Sequence, residues 1–238
     1  MGYACIVPIH GRIELLRACL NSLITQSLLP QEIIVVSDHN APAEELQIET
    51  IVRDFPLARM VKNLGERSAS IARNVGAKAV SADFLLFVDS DTCFKTHAAA
   101  DLMSALDRNS TAAFAYGDFL FGGHRMKGQD FSADALKKQN YISTMSLVRT
   151  ASFPGFDESL ARFQDWDLWL TIAERGGVGV YVPEILFETN FGGTMSTRIP
   201  SIAAKFPKIF LWWPRVKKMY DARRVIEQKH HLIPGDRA

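Results

Sequence analysis

The sequence holds no apolar run approaching the roughly 18 to 20 residues that cross a bilayer, an absence that excludes a membrane-spanning helix. No basic leader, long apolar core or small-residue cleavage site precedes the strand-like Ala4-Cys5-Ile6-Val7, and a cytoplasmic setting is the expectation. Cysteine is scarce. Cys5, Cys19 and Cys93 are odd in number and lack metal-site spacing, which argues against a disulfide framework and for packing roles. Charge of one sign is missing as well: Lys+Arg 27 against Asp+Glu 26 leaves a net charge of +1, so no global field draws the chain to nucleic acid. There is no G-x-G-x-x-G fingerprint, no internal repeat and no low-complexity tract, which removes the dinucleotide-binding and solenoid classes. With 47% hydrophobic residues over 238 positions, the chain is able to bury one sizeable core and is not disordered.

The first half alternates short apolar runs with helical patterns, the order of an α/β fold with an open, mostly parallel sheet flanked by helices. Ala4 to Ile9, Glu32 to Ser37, Arg59 to Lys62 and Phe84 to Asp89 are rich in β-branched or aromatic residues, as strands buried on both faces are. Leu15, Leu16, Cys19, Leu20 and Leu23 recur at helical spacing between the first two strands, and Ala72, Val75 and Ala79 do so before the fourth. Ligands of such sheets bind beyond the carboxyl ends of the strands. The tips there are polar: Pro8-Ile9-His10-Gly11-Arg12, Ser37-Asp38-His39-Asn40 and Asp89-Ser90-Asp91-Thr92. The second half is less regular, with a strand-like Ala112 to Tyr116, a polar stretch from Gly117 to Gly128 and a segment from Tyr141 to Arg149. A helix opens near Asp165 on Trp166, Trp169, Leu170 and Ala173, stops at Gly176-Gly177 and gives way to a strand from Val178 to Val182.

Two acidic features carry chemistry. The apolar Phe84-Leu85-Leu86-Phe87-Val88 ends abruptly in Asp89-Ser90-Asp91. Alternate residues of an extended segment point the same way, so both carboxylates can converge on one hard cation, Mg²⁺ or Mn²⁺, whose shell is completed by water and substrate phosphate. The competing reading makes Asp89 and Asp91 caps for a helix starting near Thr96. Asp165 in Gln164-Asp165-Trp166-Asp167-Leu168-Trp169 also has two readings. It is an N-cap at the positive end of a helix, or a general base that takes the proton of an attacking hydroxyl and so gives inversion in one displacement.

Taken in order over roughly residues 4 to 198, these segments resemble glycosyltransferase family 2, inverting enzymes of the GT-A fold. Val7-Pro8-Ile9-His10-Gly11-Arg12 is similar to the family's opening loop, and Glu32-Ile33-Ile34-Val35-Val36-Ser37-Asp38 to the strand whose closing aspartate binds the nucleotide base. Ala72-Arg73-Asn74-Val75-Gly76, Asp89-Ser90-Asp91, Gly155-Phe156-Asp157-Glu158 and Asp165-Trp166-Asp167-Leu168-Trp169 resemble its later motifs. The resemblance implies a metal-dependent transfer of sugar from a nucleotide-diphosphate sugar, a UDP-sugar by family frequency, to a glycan or lipid-linked acceptor. It implies that Pro8 and His10 line the base pocket with His10 against the ring, that Asp38 accepts from the base, and that Arg73 faces the diphosphate or the base. Asp89 would hold the ribose or a metal-bound water, Asp91 would ligate Mn²⁺ or Mg²⁺, and Asp165 would be the catalytic base. Departures are specific: His10 stands where tyrosine is usual, Ser37 where an aspartate is, and Gln164 where a glutamate is. Phe187 to Ser196 resembles a loop that often supplies a histidine near the diphosphate; no histidine is present here, and the resemblance puts Asn190 in that place as a weaker metal ligand.

The domain reading is 1–200 for the transferase domain and 201–238 for an extension. From Lys205 to Arg224 that extension mixes aromatic and basic residues, a pattern that either packs on the domain or attaches peripherally to the inner face of a membrane near a lipid-linked acceptor. From about His230 onward the chain reads as a frayed terminus. Two rivals remain. A nucleotidyltransferase shares the layered sheet but wants a glycine-rich loop where only Gly11 stands. A nucleotide-sugar-binding pseudoenzyme is suggested by Gln164 and Asn190 and opposed by the retained Asp165.

Overall fold

The computed structural model describes residues 2–189 and 211–232. Its first half runs β1 (Tyr3–Ile9), α1 (Ile13–Ile24), β2 (Glu32–Ser37), α2 (Pro42–Arg53), β3 (Ala58–Lys62), α3 (Ala69–Lys78), β4 (Phe84–Phe87), β5 (Thr92–Phe94) and α4 (Ala98–Arg108). The second half adds β6 (Ala112–Phe121), β7 (His124–Met126), α5 (Ala133–Lys138), β8 (Leu147–Arg149), α6 (Gln164–Glu174), β9 (Val178–Thr189) and α7 (Pro214–Lys229). The strands form one sheet in the order β3-β2-β1-β4-β8-β6-β9-β5, with β7 paired to β6. β3, β2, β1 and β4 are parallel, so their carboxyl ends share one edge. β8 enters antiparallel between β4 and β6, and β6 and β9 are again parallel to each other.

The period-2 pattern of the strands divides the interior in two. Tyr3, Cys5, Val7, Ile33 and Val35 pack on one face with Leu16 and Leu20 of α1, Ile48 of α2 and Leu102 and Leu106 of α4. Ile6, Ile34, Val36, Leu85 and Phe87 pack on the other with Ala72 of α3, Leu136 of α5, Trp166 and Trp169 of α6 and Ile226 of α7. Trp169 is fully buried, stacks on Phe114 at 4.5 Å between centroids and donates from Nε1 to the Ile142 carbonyl at 3.2 Å. The rings supply apolar area, and the indole N–H still finds an acceptor.

Several expectations are corrected. β3 lies at the sheet edge and is half-exposed, so it is not buried on both faces. β9 runs to Thr189 and not to Val182, because its later residues pair with β5 and β6. Cys93 is exposed, unlike the buried Cys5 and Cys19. Neither acidic pair acts as a cap: α4 starts at Ala98 after His97, well beyond Asp91, and the residue before α6 is Phe163, with Asp165 already in the helix. His230 is 5% exposed and ion-paired, not frayed.

Candidate functional site

The carboxyl edge of β1, β2 and β4 opens into a cavity of about 660 Å³, within the range of small-ligand sites. Pro8, His10, Asp38, Arg73, Asp89, Asp91 and Asp165 all line it. The sequence-expected residues that the structure describes are therefore brought together. Asn190 lies outside the described residues.

The β1 and β2 tips are sutured by Asn40, which donates to the Ile9 carbonyl at 2.9 Å and accepts from the Gly11 N–H at 2.8 Å. Gly11 and Arg12 both take positive φ, 63° and 51°, which turns the chain sharply from β1 into α1. Asp38 is almost buried; one carboxylate oxygen accepts from Asn63 at 2.7 Å, and its carbonyl accepts from His10 Nδ1 at 2.8 Å. The His10 ring thus carries hydrogen on Nδ1, and Nε2 receives Arg67 Nη1 at 3.3 Å. A planar ring and a fixed carboxylate sit together, able to stack on and accept from a heterocyclic base. Ser37 stays structural: Asn40 donates to its hydroxyl at 3.0 Å.

Four residues of Ala72-Arg73-Asn74-Val75-Gly76 bear on this geometry. Ala72 is fully buried, and Gly76 lets α3 approach the sheet so closely that a Cβ there would lie 2.4 Å from Ile6 Cγ2. Asn74 pins α3 to the loop before α6, donating to the Phe156 carbonyl and accepting from its N–H at 2.9 and 2.8 Å. That leaves Arg73 between β4 and α6. Its Nη2 donates to Asp89 at 2.8 Å and its guanidinium lies 5.5 Å from the Phe156 ring centroid. Its buried Nε has no partner among the described residues. A buried N–H left unsatisfied is costly.

Asp91 is ion-paired to Arg12 at 2.5 Å, a contact no local pattern announced. Burial, then the charge of Asp89, raises the Asp91 pKa above the ordinary aspartate value, while Arg12 opposes the shift. Among the described residues no three His, Cys, Asp or Glu side chains gather as a closed metal cage. Two neighbouring carboxylates are nevertheless what Mg²⁺ or Mn²⁺ asks of a protein when substrate phosphate and water supply the rest. The donor set fits such an ion.

Asp165 sits at the second position of α6 with both oxygens held. Oδ1 accepts from the Trp166 N–H at 2.9 Å and Oδ2 from Asn140 Nδ2 at 2.8 Å. Burial raises its pKa above the usual aspartate value, and the Trp166 N–H, Arg73 and Asn140 pull the other way. A carboxylate with a raised pKa is a stronger proton acceptor. Gln164 is buried and donates to the Leu160 carbonyl at 3.1 Å, a packing role that needs no charge. Arg162 and Lys127 also line the cavity, and neither has an ion-pair partner among the described residues.

A family model described as Glycosyl transferase family 2 matches residues 4–159. An uncharacterized glycosyltransferase of Haemophilus influenzae is 25% identical over 184 residues, covering 71% of this chain and 61% of that protein. The crystal structure of S. aureus TarS 1-349 in complex with UDP-GlcNAc superposes with a TM-score of 0.68 at 20% identity, covering 84% of this chain and 62% of that one. The mannosyltransferase PcManGT from Pyrobaculum calidifontis, in complex with GDP-Man and Mn²⁺, gives 0.65 at 13% identity over 81% of this chain and 58% of that one. The chain thus spans about three fifths of the length of these relatives, and the two structural likenesses speak to the fold.

Proposed function

The chain belongs to glycosyl transferase family 2 and has the GT-A fold of these neighbours, and from that premise we propose that it is an inverting, metal-dependent glycosyltransferase using a nucleotide-diphosphate sugar. The observation that carries this reading is the convergence of Asp38, Arg73, Asp89, Asp91 and Asp165 on one cavity. Asp38 accepts from the base and His10 lies against its ring. Arg73, which lines the cavity, faces the donor at the diphosphate or at the base. Asp91 and Asp89 hold Mn²⁺ or Mg²⁺, and Asn190 is a third candidate ligand. When bound, that ion neutralises the departing diphosphate. Asp165 takes the proton of the acceptor hydroxyl as the new bond forms on the opposite face of the sugar, which inverts the anomeric centre. A UDP-sugar is the favoured donor, since TarS was crystallised with UDP-GlcNAc; the GDP-Man complex of PcManGT keeps GDP-sugars in the test.

On the acceptor side, Arg162 and Lys127, without an ion-pair partner among the described residues, suit a glycan or lipid-linked acceptor that carries phosphate. Residues 1–200 form the catalytic domain in this reading, and 201–238 an extension whose helix α7 packs back on it. No helix among the described residues is long and apolar enough to cross a membrane. Trp212, 78% exposed just before α7, stands near Arg215, Lys217 and Lys218, which supports peripheral contact with an anionic surface. Sedimentation with anionic vesicles checks this, and equal, negligible binding by the full chain and a chain ending before Lys205 removes it.

The enzymatic test is release of nucleoside diphosphate from UDP-, GDP- and dTDP-sugars with Mn²⁺, for wild type and Asp165→Asn. Loss of release with nucleotide binding retained is expected of the variant. Pyrophosphate release from a nucleoside triphosphate would favour a nucleotidyltransferase, and nucleotide binding with no turnover of any donor a pseudoenzyme.

A further inference from the structure

Asp165 is positioned by two neighbours, and α7, outside the family-matched residues, touches the segments that carry both. Its Oδ2 bond comes from Asn140, two residues after the end of α5, and its Oδ1 bond from the first turn of α6. Arg223 of α7 reaches both sides of this cradle. Its Nη2 donates to the Lys138 carbonyl at 2.9 Å, and its guanidinium lies 5.2 Å from the Trp166 ring centroid. Glu227 fixes the same guanidinium from behind, accepting from Nε at 2.7 Å. The Trp166 indole closes the triangle by donating to the Leu136 carbonyl at 2.7 Å.

The far end of α7 is pinned to the other face of α6. His230 places Nε2 on Asp167 and Nδ1 on Glu174, each at 2.8 Å, and Lys229 bridges Asp157 and Asp167 at 2.6 and 2.7 Å. Asp167 is 2% exposed and Ile226 wholly buried. Apolar residues of the same volume would stabilise such a contact at least as well, because burying charge carries a desolvation penalty. What directed bonds add is orientation: they fix the rotation of α6 about its axis, and Asp165 lies on its first turn.

We propose that α7 is a clamp that positions the general base, with Arg223 as the positioning residue that couples the Asn140 segment to α6. The inference rests on the reading of Asp165 as base and deepens it. Arg223 does not line the cavity, so its loss should change the catalytic step and leave donor binding alone.

The experiment measures nucleoside diphosphate release, with water as acceptor, from whichever of the UDP-, GDP- and dTDP-sugars reacts fastest. It compares wild type, Asp165→Asn, Arg223→Gln, Arg223→Lys and Glu227→Gln. Arg223→Gln should lower kcat roughly 10-fold or more with the donor KM unchanged, since misplacing a catalytic group by an ångström costs up to about 100-fold. Its acid limb should move to higher pH, because a loosened Asn140 no longer favours the charged carboxylate against burial, leaving the Trp166 N–H and Arg73 to do so. Arg223→Lys keeps a donor for the Lys138 carbonyl and should recover part of kcat. Glu227→Gln, which keeps the side chain's shape and removes its charge beside Arg223, gives a weaker effect in the same direction if Arg223→Gln does not fold. If Asp165→Asn retains release, the base reading fails and the clamp with it. If Asp165→Asn is inactive while Arg223→Gln and Glu227→Gln keep wild-type kcat and pH profile, the base reading stands and the clamp is overturned.

Discussion

Gly76→Ala tests how the fold aims Arg73. A Cβ at position 76 would meet Ile6 Cγ2 at 2.4 Å and Val36 Cγ2 at 3.0 Å, and both side chains are fully buried in the sheet. Ordinary carbon contacts begin near ~3.5 Å, so α3 must retreat from the strands by about 1 Å. Overpacking of this kind costs about 1–3 kcal/mol, and the upper part of that range applies because neither β1 nor β2 has room to move. For a chain of this size about 2–3 kcal/mol lowers Tm by roughly 4–12 °C. Arg73 lies one turn earlier on α3 and makes a 2.8 Å bond to Asp89 that the same displacement stretches. The expected result by calorimetry is a Tm loss in that range, accompanied by weaker nucleotide binding in the folded variant. A Tm within about 1 °C of wild type, with binding unchanged, would refute the claim that this glycine sets the distance between helix and sheet.

Other expectations concern charge. His230 is buried, which disfavours its cation, yet its bonds to Asp167 and Glu174 outweigh burial and the neighbouring Lys229 and raise its pKa. A raised folded-state value means its stabilising contribution is complete below about pH 6.5 and is lost as pH rises through that value. The Tm gap between wild type and His230→Gln should therefore narrow from about pH 6 to about pH 9 in thermal melts; a constant gap contradicts it. Asn140→Ala removes a bond to a charged carboxylate worth about 1.5–3 kcal/mol, so the acid limb of kcat should move up by about one to two pH units. An unmoved limb would mean that Asn140 does not tune Asp165. Asp118 is wholly buried and accepts from Tyr181 at 2.6 Å, the Gly128 N–H at 2.7 Å and Arg125 at 2.7 Å. Asp118→Asn should destabilise by about 2–3 kcal/mol and expose the hairpin bearing Met126 and Lys127 to trypsin; wild-type melting and digestion would oppose this.

The strands that build the site were legible because each is a short apolar run ending in polar residues, and parallel strands put such ends on one edge. Asp38, Asp89 and Asp91 could be picked out for that reason, and Asp165 because it opens an amphipathic helix. What partners them could not. Arg12 and Asp91 are 79 positions apart, Asn140 and Asp165 are 25 apart, and Arg73 reaches Asp89 from a neighbouring helix. No local periodicity encodes such contacts. The length of β9 was hidden by Pro183 and Glu184, which interrupt the apolar pattern where its register with β6 shifts. His230 was read as part of a fraying end because its partners, Asp167 and Glu174, lie 63 and 56 positions back.

The most direct test of the central claim is calorimetric titration of UDP, GDP and dTDP, with and without Mn²⁺, into wild type and Asp91→Ala. The expected result is that one nucleotide binds wild type strongly only in the presence of Mn²⁺ and that Asp91→Ala abolishes the metal-dependent part. Absence of binding by all three nucleotides with Mn²⁺, or binding that Asp91→Ala leaves unchanged, would contradict it.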